Sequence, residues 1–179
     1  MAFVKDDAKN WYVVYTRSRT EKKVRDELEM KGIESFLPLQ KKLRQWKDRK
    51  KWVEMPLFSG YCFVHINRAD YERVLQISHV VCYITFEGKA AVVRNDQIEA
   101  LRQLLNQNDF NVEITHETFE VGKKVEIIRG PLVGLRGELV EIRGKRKFLL
   151  RIEQIDKSLL VEVPSDILTA IPKSMLAFK

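Results

Sequence analysis

Two kinds of hydrophobic pattern alternate along the first part of the chain. Runs of β-branched and aromatic residues predict strands, and Trp11–Tyr15 has so few polar positions that both of its faces should be buried. Apolar residues three or four apart predict helices, as with Val24 and Leu28, and Gly32 is placed to end that helix. The predicted strands are at 11–15, 33–37, 61–66, 80–86 and 90–93. The predicted helices are at 20–31, capped by Ser18 or Thr20, at 68–77, and from Asn95, its cap, to 106. The last of these helices has Ile98, Leu101 and Leu105 on one face. This order predicts an α+β domain with helices packed on an antiparallel sheet.

The pattern changes beyond residue 106. Residues 107–118 follow neither period, which predicts a linker. Short alternating runs then follow, with Val121, Val125 and Ile127 before a Gly130-Pro131 turn, then Phe148, Leu150 and Ile152, then Leu159, Val161 and Val163. Such runs predict a small β-barrel. The predicted organisation is an arm at 1–10, an α+β domain at 11–106, a linker at 107–118, a β-barrel domain at 119–172 and a tail at 173–179.

The most apolar and aromatic stretch of the chain is Met55–Ile66, which reads MPLFSGYCFVHI. Pro56 stiffens its start, and Gly60 allows a tight turn before a strand. Alternation sends Tyr61, Phe63 and His65 to one face of that strand and the intervening residues to the other. The pattern alone is equally typical of a strand buried on both sides and of a strand that shows aromatic rings to a partner.

Composition restricts the classes of function. The chain has 45% hydrophobic and 32% charged residues, two cysteines and three histidines. The sequence shows no membrane span, no signal peptide, no zinc-ligand spacing, no phosphate loop and no converging catalytic groups. We therefore expect a cytoplasmic binding protein without metal or cofactor, which acts as a monomer and not as an enzyme, with both cysteines reduced and buried.

The net charge of +7 is concentrated in the N-terminal part. Residues 1–110 carry 20 basic and 15 acidic side chains, and seven of the eleven residues at 41–51 are Lys or Arg. Lys47-Asp48-Arg49-Lys50 resembles a turn, so this segment predicts a β-hairpin. Basic side chains beside Trp46 and Trp52 suit contact with a nucleic-acid backbone, for which Lys47, Arg49, Lys50 and Lys51 are the candidates. A solvated hairpin tip is the competing interpretation.

Three blocks of the chain together resemble the NusG family of transcription elongation factors. Trp11–Tyr15 and Met55–Ile66 are similar to the N-terminal domain of that family, and residues 125–140, VEIIRGPLVGLRGELV, resemble its KOW motif. The blocks occur in the order of the family and cover nearly the whole chain. The resemblance implies an N-terminal NusG-like domain followed by an SH3-like KOW barrel.

The resemblance also implies partners and residues. It implies that an aromatic pocket of Tyr15, Phe58, Tyr61 and Phe63 grips the clamp helices of the largest subunit of RNA polymerase. It places Arg17, Arg19 and Lys23 beside non-template DNA, and the expected nucleic-acid partner is non-template DNA or nascent RNA. The expected partner of the KOW domain is a ribosomal protein or a termination factor. Residues 56–64, PLFSGYCFV, depart from the pattern of the housekeeping members of the family. This segment looks closer to the specialised paralogues that suppress termination at particular operons.

Two alternatives stay open in the sequence. The chain could instead be a KOW-type RNA-binding or ribosome-associated protein, in which the basic turns contact RNA and the aromatic strand is core. The exposure of Phe58, Tyr61 and Phe63 separates the two. In some paralogues the C-terminal region folds as a helical hairpin, but Pro131 would cost a helix about 3 kcal/mol and each interior glycine about 1 kcal/mol. We therefore predict a permanent β-barrel that leaves the aromatic site open.

Overall fold

The structure is a computed structural model that describes residues 8–45, 48–106, 112–115, 122–142 and 145–172. The chain divides into two compact units, residues 1–98 and 99–179. The division falls within the third helix. Residues 1–7 of the predicted arm at 1–10 and the predicted tail at 173–179 lie outside the described residues.

The N-terminal unit has an α+β composition, as predicted. Its strands are β1 (Asn10–Thr16), β2 (Glu34–Phe36), β3 (Leu39–Gln45), β4 (Lys50–Pro56), β5 (Tyr61–Ile66), β6 (Val80–Tyr83), β7 (Thr85–Phe86), β8 (Lys89–Ala90) and β9 (Val92–Val93). Its helices are α1 (Glu21–Met30), α2 (Tyr71–Leu75), which follows a 3₁₀ turn at Arg68–Asp70, and the start of α3 (Asn95–Asn106). The predicted elements are therefore present, with shifted ends and a division of the 80–86 run into two strands.

An antiparallel sheet in the order β2-β5-β1-β6 forms the centre of this unit, and β9 also pairs with β1. One face of the sheet is apolar core: Val14, Cys62, Val64 and Ile66 cluster with Val24 and Leu28 of α1 and Val74 of α2. The alternation predicted for β5 is thus confirmed. The opposite face carries the in-register pairs Tyr61–Tyr15, Phe63–Val13 and His65–Trp11.

The helix ends differ in detail from the predictions. Thr20 precedes α1, but its hydroxyl donates to the Arg17 carbonyl and does not cap the helix. Asn95 is the first residue of α3 and not its cap. The Gln97 side chain accepts from the Arg94 N–H, the reach-back of a capping box, so Arg94 is the cap residue. Within α3, Leu104 is buried with Ile98 and Leu101, whereas Leu105 is only half-buried.

The basic segment forms the predicted hairpin. Strands β3 and β4 pair from Leu39–Pro56 at the base to Gln45–Lys50 near the tip. A second, smaller hairpin pairs β7 with β8 and exposes Phe86.

The C-terminal unit contains an antiparallel sheet of six strands. They are β10 (Val112–Thr115), β11 (Lys123–Ile127), β12 (Arg136–Ile142), β13 (Lys145–Ile152), β14 (Lys157–Val161) and β15 (Leu168–Ala170), in the order β10-β14-β13-β12-β11-β15. The fold class is confirmed, and β11–β14 are strands where the helical alternative required helix. The prediction of a structureless linker is wrong at Val112–Thr115, because β10 pairs with β14 along its whole length.

Both faces of the central strands of this unit are buried. Phe148, Leu150, Leu159 and Val161 are buried as the alternation predicts, but so are Leu149 and Leu160, which cluster with Val140 on the other face. Gly137 is required in β12, because a Cβ there would meet the Phe148 ring and lie 2.6 Å from the Leu149 carbonyl oxygen. This glycine therefore allows close packing of β12 against β13.

A buried carboxylate joins three strands of the C-terminal unit. Glu138 accepts hydrogen bonds from Lys124 Nζ at 2.8 Å, from Arg151 Nε at 3.1 Å and from the Gly122 N–H at 3.0 Å. Burial raises the pKa of Glu138, but the hydrogen bonds from Arg151 and Lys124 lower it by more. The pKa of Glu138 therefore lies below its ordinary value.

Glu138 should therefore stabilise the C-terminal unit at neutral pH and not in acid. Because the folded pKa is the lower one, the contribution is complete above the unfolded value of about 4.3 and is lost as the pH falls through the folded value. We expect the difference in unfolding free energy between the wild type and Glu138→Gln to be constant above about pH 6 and to shrink below about pH 4. The unfolding free energy of the C-terminal unit can be measured in the full chain by following the NMR signals of the Phe148 and Leu149 amides as denaturant is added. Glu141→Gln, exposed on the same strand, should follow the wild-type profile; a difference for Glu138→Gln that does not change with pH would contradict the assignment.

Candidate functional site

The turn before β5 is fixed by three backbone hydrogen bonds. Gly60 has φ +84°, a conformation that favours glycine. Its N–H donates to Glu21 Oε1 at 2.7 Å, and its carbonyl accepts from the Thr16 N–H at 2.8 Å. The Tyr61 N–H donates to the Phe58 carbonyl at 3.3 Å. The turn therefore links the start of α1, the end of β1 and the start of β5.

Glu21 is a buried acid, with 5% of its surface exposed. As the first residue of α1 it lies where the helix dipole favours negative charge, and the Gly60 N–H satisfies one of its oxygens. In the sequence, nothing but its place in the helix separates Glu21 from the other acids of α1. The one available signal was its position in the first turn of a predicted helix.

Two tyrosines lie side by side next to this turn. Tyr15 and Tyr61 are register partners on β1 and β5, with ring centroids 5.7 Å apart in an edge-on arrangement. Tyr15 is 42% exposed and Tyr61 is half-buried. Cys82 is the partner of Tyr15 on β6 and is exposed. We call the row Tyr61–Tyr15–Cys82 the tyrosine surface.

The tyrosine surface depends on Gly60 sterically. A Cβ at Gly60 would lie 3.0 Å from the Tyr15 ring carbon Cε2, closer than ordinary contact. The Tyr15 ring therefore packs on bare backbone, which limits the positions that it can take.

Phe58 and Phe63 do not present rings to a partner, so this part of the predicted pocket is wrong. Phe58 is 2% exposed and Phe63 is 0% exposed. The Phe63 ring packs between those of Phe58 and Phe36, at centroid distances of 6.4 and 6.1 Å. Its register partner Val13 is buried as well. Phe63 therefore belongs to a buried row of the sheet face, next to the row that holds the tyrosines.

The predicted basic residues lie in two places. Arg17 and Arg19 are exposed in the loop from β1 to α1, and Lys23 is exposed on α1. This loop is held by the Arg17 N–H, which donates to the His79 carbonyl at 2.9 Å, and Arg19 has φ +63°. Arg17 follows Tyr15 by two residues, so basic and aromatic side chains occur at the same end of β1. Arg49, Lys50 and Lys51 are exposed on the hairpin, and Lys47 lies outside the described residues.

The two cysteines have different environments. Burial raises the pKa of the Cys62 thiol to about 12, so this thiol is unreactive at neutral pH. The prediction that both are buried is wrong for Cys82, which is exposed. Among the described residues, no group of three or more His, Cys, Asp or Glu side chains could hold a metal ion.

The sequence analysis also missed a ring stack at the other end of the same face. The His65 ring stacks on Trp11 at 4.7 Å, and its Nδ1 lies 2.7 Å from Glu34 Oε2. The register pair His65–Trp11 accounts for the stack, and Glu34 is the partner of His65 on β2.

The architecture is that of a two-unit protein, an α+β unit followed by a KOW-like β unit. A family model described as "Transcription termination factor nusG" matches residues 9–102. The chain belongs to the NusG family. Factors of this family take part in transcription and act with RNA polymerase.

Individual relatives support this assignment over most of the chain. The protein named Transcription termination/antitermination protein NusG of Halalkalibacterium halodurans is 28% identical in an alignment of length 172. The alignment covers 87% of this chain and 94% of that protein. The protein of the same name in Staphylococcus aureus strain Mu50 is 29% identical in an alignment of length 172. This alignment covers 89% of this chain and 94% of that protein. A structure described as "Domain interaction in Thermotoga maritima NusG" shares the fold, with a TM-score of 0.51 and 24% sequence identity. The match covers 92% of this chain and 98% of that chain.

None of the helices in the described part of the chain combines the length and the apolar character needed to span a bilayer.

Loss of the Glu21 carboxylate should destabilise the N-terminal unit. Glu21→Ala leaves the Gly60 N–H buried without an acceptor, which costs about 1–3 kcal/mol. Glu21→Gln keeps a carbonyl oxygen and should cost less. Urea unfolding followed by tryptophan fluorescence checks both. Glu29→Ala, exposed on the same helix, is the control, and equal effects at Glu21 and Glu29 would show that the hydrogen bond to Gly60 is unimportant.

Phe63→Ala should destabilise the N-terminal unit strongly and not merely weaken binding to a partner. Truncation of a fully buried phenylalanine costs about 3–5 kcal/mol. Phe86, which is 72% exposed, is the matched control, and Phe86→Ala should change the free energy of unfolding by less than about 0.5 kcal/mol. The same denaturation series measures both variants; a stable Phe63→Ala protein would mean that Phe63 is not core.

Proposed function

We propose that the tyrosine surface binds the clamp helices of the largest subunit of RNA polymerase. On this proposal, the bound factor contacts non-template DNA and suppresses pausing or termination at specific operons. The observation that supports it best is the exposure of Tyr15 beside half-buried Tyr61, next to a turn that is held by hydrogen bonds at Gly60 and Tyr61. Both tyrosines match the motif of the family by position.

The physical case for an interface rests on residue type and on rigidity. Tyrosine is enriched at the centres of protein interfaces, because its ring supplies apolar area and its hydroxyl tolerates water. A side chain already fixed by its neighbours loses little entropy on binding. Tyr15 packs on Gly60, and Tyr61 packs against Tyr15, so both rings are ordered before a partner arrives.

An effect on pausing follows from preferential binding. A ligand shifts an equilibrium only by binding one state more tightly than another. A factor that holds the clamp and the opened DNA together would favour the elongating state over a paused state. Arg17, Arg19 and Lys23, all exposed, are proposed to meet the non-template strand, and the basic hairpin adds a second cationic surface.

The C-terminal unit is proposed to bind a ribosomal protein or a termination factor. Its support is a pair of exposed apolar side chains, Ile128 and Val133, on either side of the Gly130-Pro131 turn. Exposed aliphatic residues on a loop offer apolar area that a protein partner can bury.

Tyr61→Ala and Tyr15→Ala should each weaken binding to purified polymerase about thirtyfold, since truncation of an interface anchor costs about 2 kcal/mol or more. Both variants should remain folded, because neither ring is in the core. Biolayer interferometry with polymerase free of nucleic acid measures this affinity without any contribution from DNA.

Phe86→Ala is again the control, since it removes an exposed ring elsewhere in the same unit. Wild-type affinity in both tyrosine variants would remove the proposed site. Retained binding of RNA or ribosomes in that case would favour the alternative, a KOW-type RNA-binding protein.

The basic hairpin should contribute salt-dependent affinity for the transcription complex. Neutral replacement of Lys47, Arg49, Lys50 and Lys51 removes phosphate partners, so binding should weaken most at low salt and its salt dependence should flatten. Titrations at several salt concentrations give the slope of log K against log salt. If the slope matches that of the wild type, the hairpin is ordinary solvated surface.

A further inference from the structure

The hairpin of β3 and β4 carries an exposed indole. Trp52 is 65% exposed, although tryptophan side chains are highly buried on average. Leu43 is its register partner and is also exposed. Register partners in an antiparallel pair share a face, so Trp52 and Leu43 form one apolar surface open to solvent. We call this pair the tryptophan platform.

Cations surround the tryptophan platform on both strands. On the same face, the pair Gln45–Lys50 lies toward the tip and the pair Lys41–Glu54 toward the base. Neighbouring pairs on one face are about 6.6 Å apart, within reach of a lysine side chain. The other face carries Lys42, Arg44 and Lys51, and all of these basic residues are exposed. Of the acids among the described hairpin residues, Asp48 lies at the tip, and Glu54 lies opposite Lys41, one row from Trp52 toward the base.

We propose that the tryptophan platform stacks an unpaired base of a single nucleic-acid strand, while Lys50 and Lys41, on the same face of the hairpin, neutralise the phosphates on either side. This inference rests on the proposed function, in which the hairpin meets nucleic acid. It adds the residue that touches a base and a preference for single strands. Every base has a π-face, so the contact tolerates any sequence.

Charge complementarity favours a nucleic acid over a protein at this surface. The centres of protein interfaces are depleted in lysine, whereas the tryptophan platform is a small apolar area with lysines close by on both strands. Stacking on an aromatic ring beside cations is the arrangement by which proteins hold single strands. A duplex keeps its bases stacked internally, so it cannot offer a face to Trp52.

Trp52→Ala should weaken binding of the full chain to a labelled single-stranded oligonucleotide about five- to 150-fold, the range for loss of one base stack. Trp52→Phe should recover part of the loss, because a phenyl ring still stacks. The salt slope should not change, since no charge is removed. Fluorescence anisotropy with DNA and RNA oligomers of one sequence, each also as a duplex, gives these affinities and shows which strand is preferred.

Phe86→Ala supplies the matched control, because Phe86 is an exposed ring beside a lysine partner, Lys89, on the other hairpin. The inference is overturned if Trp52→Ala has no effect on binding, or if it weakens binding no more than Phe86→Ala does. It is also overturned if Trp52→Ala weakens binding to duplexes as much as binding to single strands. A salt slope that responds to the hairpin lysines while Trp52→Ala has no effect would overturn the stacking contact alone. A salt slope unaffected by those lysines would reject the nucleic-acid role of the hairpin as well.

Trp52→Ala should also leave the affinity for nucleic-acid-free polymerase unchanged, whereas the tyrosine variants should reduce it. A loss of polymerase affinity in Trp52→Ala would contradict the inference and indicate a protein contact at the hairpin.

Discussion

A single hydrogen bond between the Gly60 N–H and the buried Glu21 carboxylate joins parts of the chain that are 39 residues apart. It places the start of α1 against the turn that begins β5. Because the same turn accepts from the Thr16 N–H, the end of β1 is fixed there too. A buried carboxylate is expensive unless its oxygens are satisfied, so the sequence must keep the helix start and the turn together. The register of β1 and β5 places Tyr15 beside Tyr61, and the constrained turn lies at the end of that register.

The face of the sheet that holds the tyrosines changes character along its length. Phe63 and Val13 make its middle a fully buried layer, and Tyr61 and Tyr15 lie one row further on, where the rings reach solvent. The same strands thus supply both the support and the exposed surface. Rigidity in the buried row is what allows the exposed row to keep a defined shape, which is how a small domain can bind a partner without a deep pocket.

The sequence predicted the fold closely and the site only partly, for physical reasons that differ from residue to residue. Alternation in β5 correctly separated Cys62 and Val64 from Tyr61 and Phe63, because a strand has a period of two. It could not tell Phe63 from Tyr61, since both lie on one face and only the extent of the covering layer separates them. Leu149 and Leu160 were missed because alternation detects burial on one side only. Strand β10 was missed because its four residues gain their structure from a distant partner, β14. Glu21 has no distinguishing feature until the turn at Gly60 is in place.

The central claim is that Tyr61 touches RNA polymerase when the factor is bound. A photoreactive phenylalanine analogue at position 61, activated in the complex with polymerase, tests this contact directly, with the same analogue at position 86 as the reference. The account predicts a cross-link from position 61 to the clamp helices of the largest subunit, and none to that region from position 86. Cross-links from position 61 to another subunit, or the same yield and the same target from both positions, would contradict it.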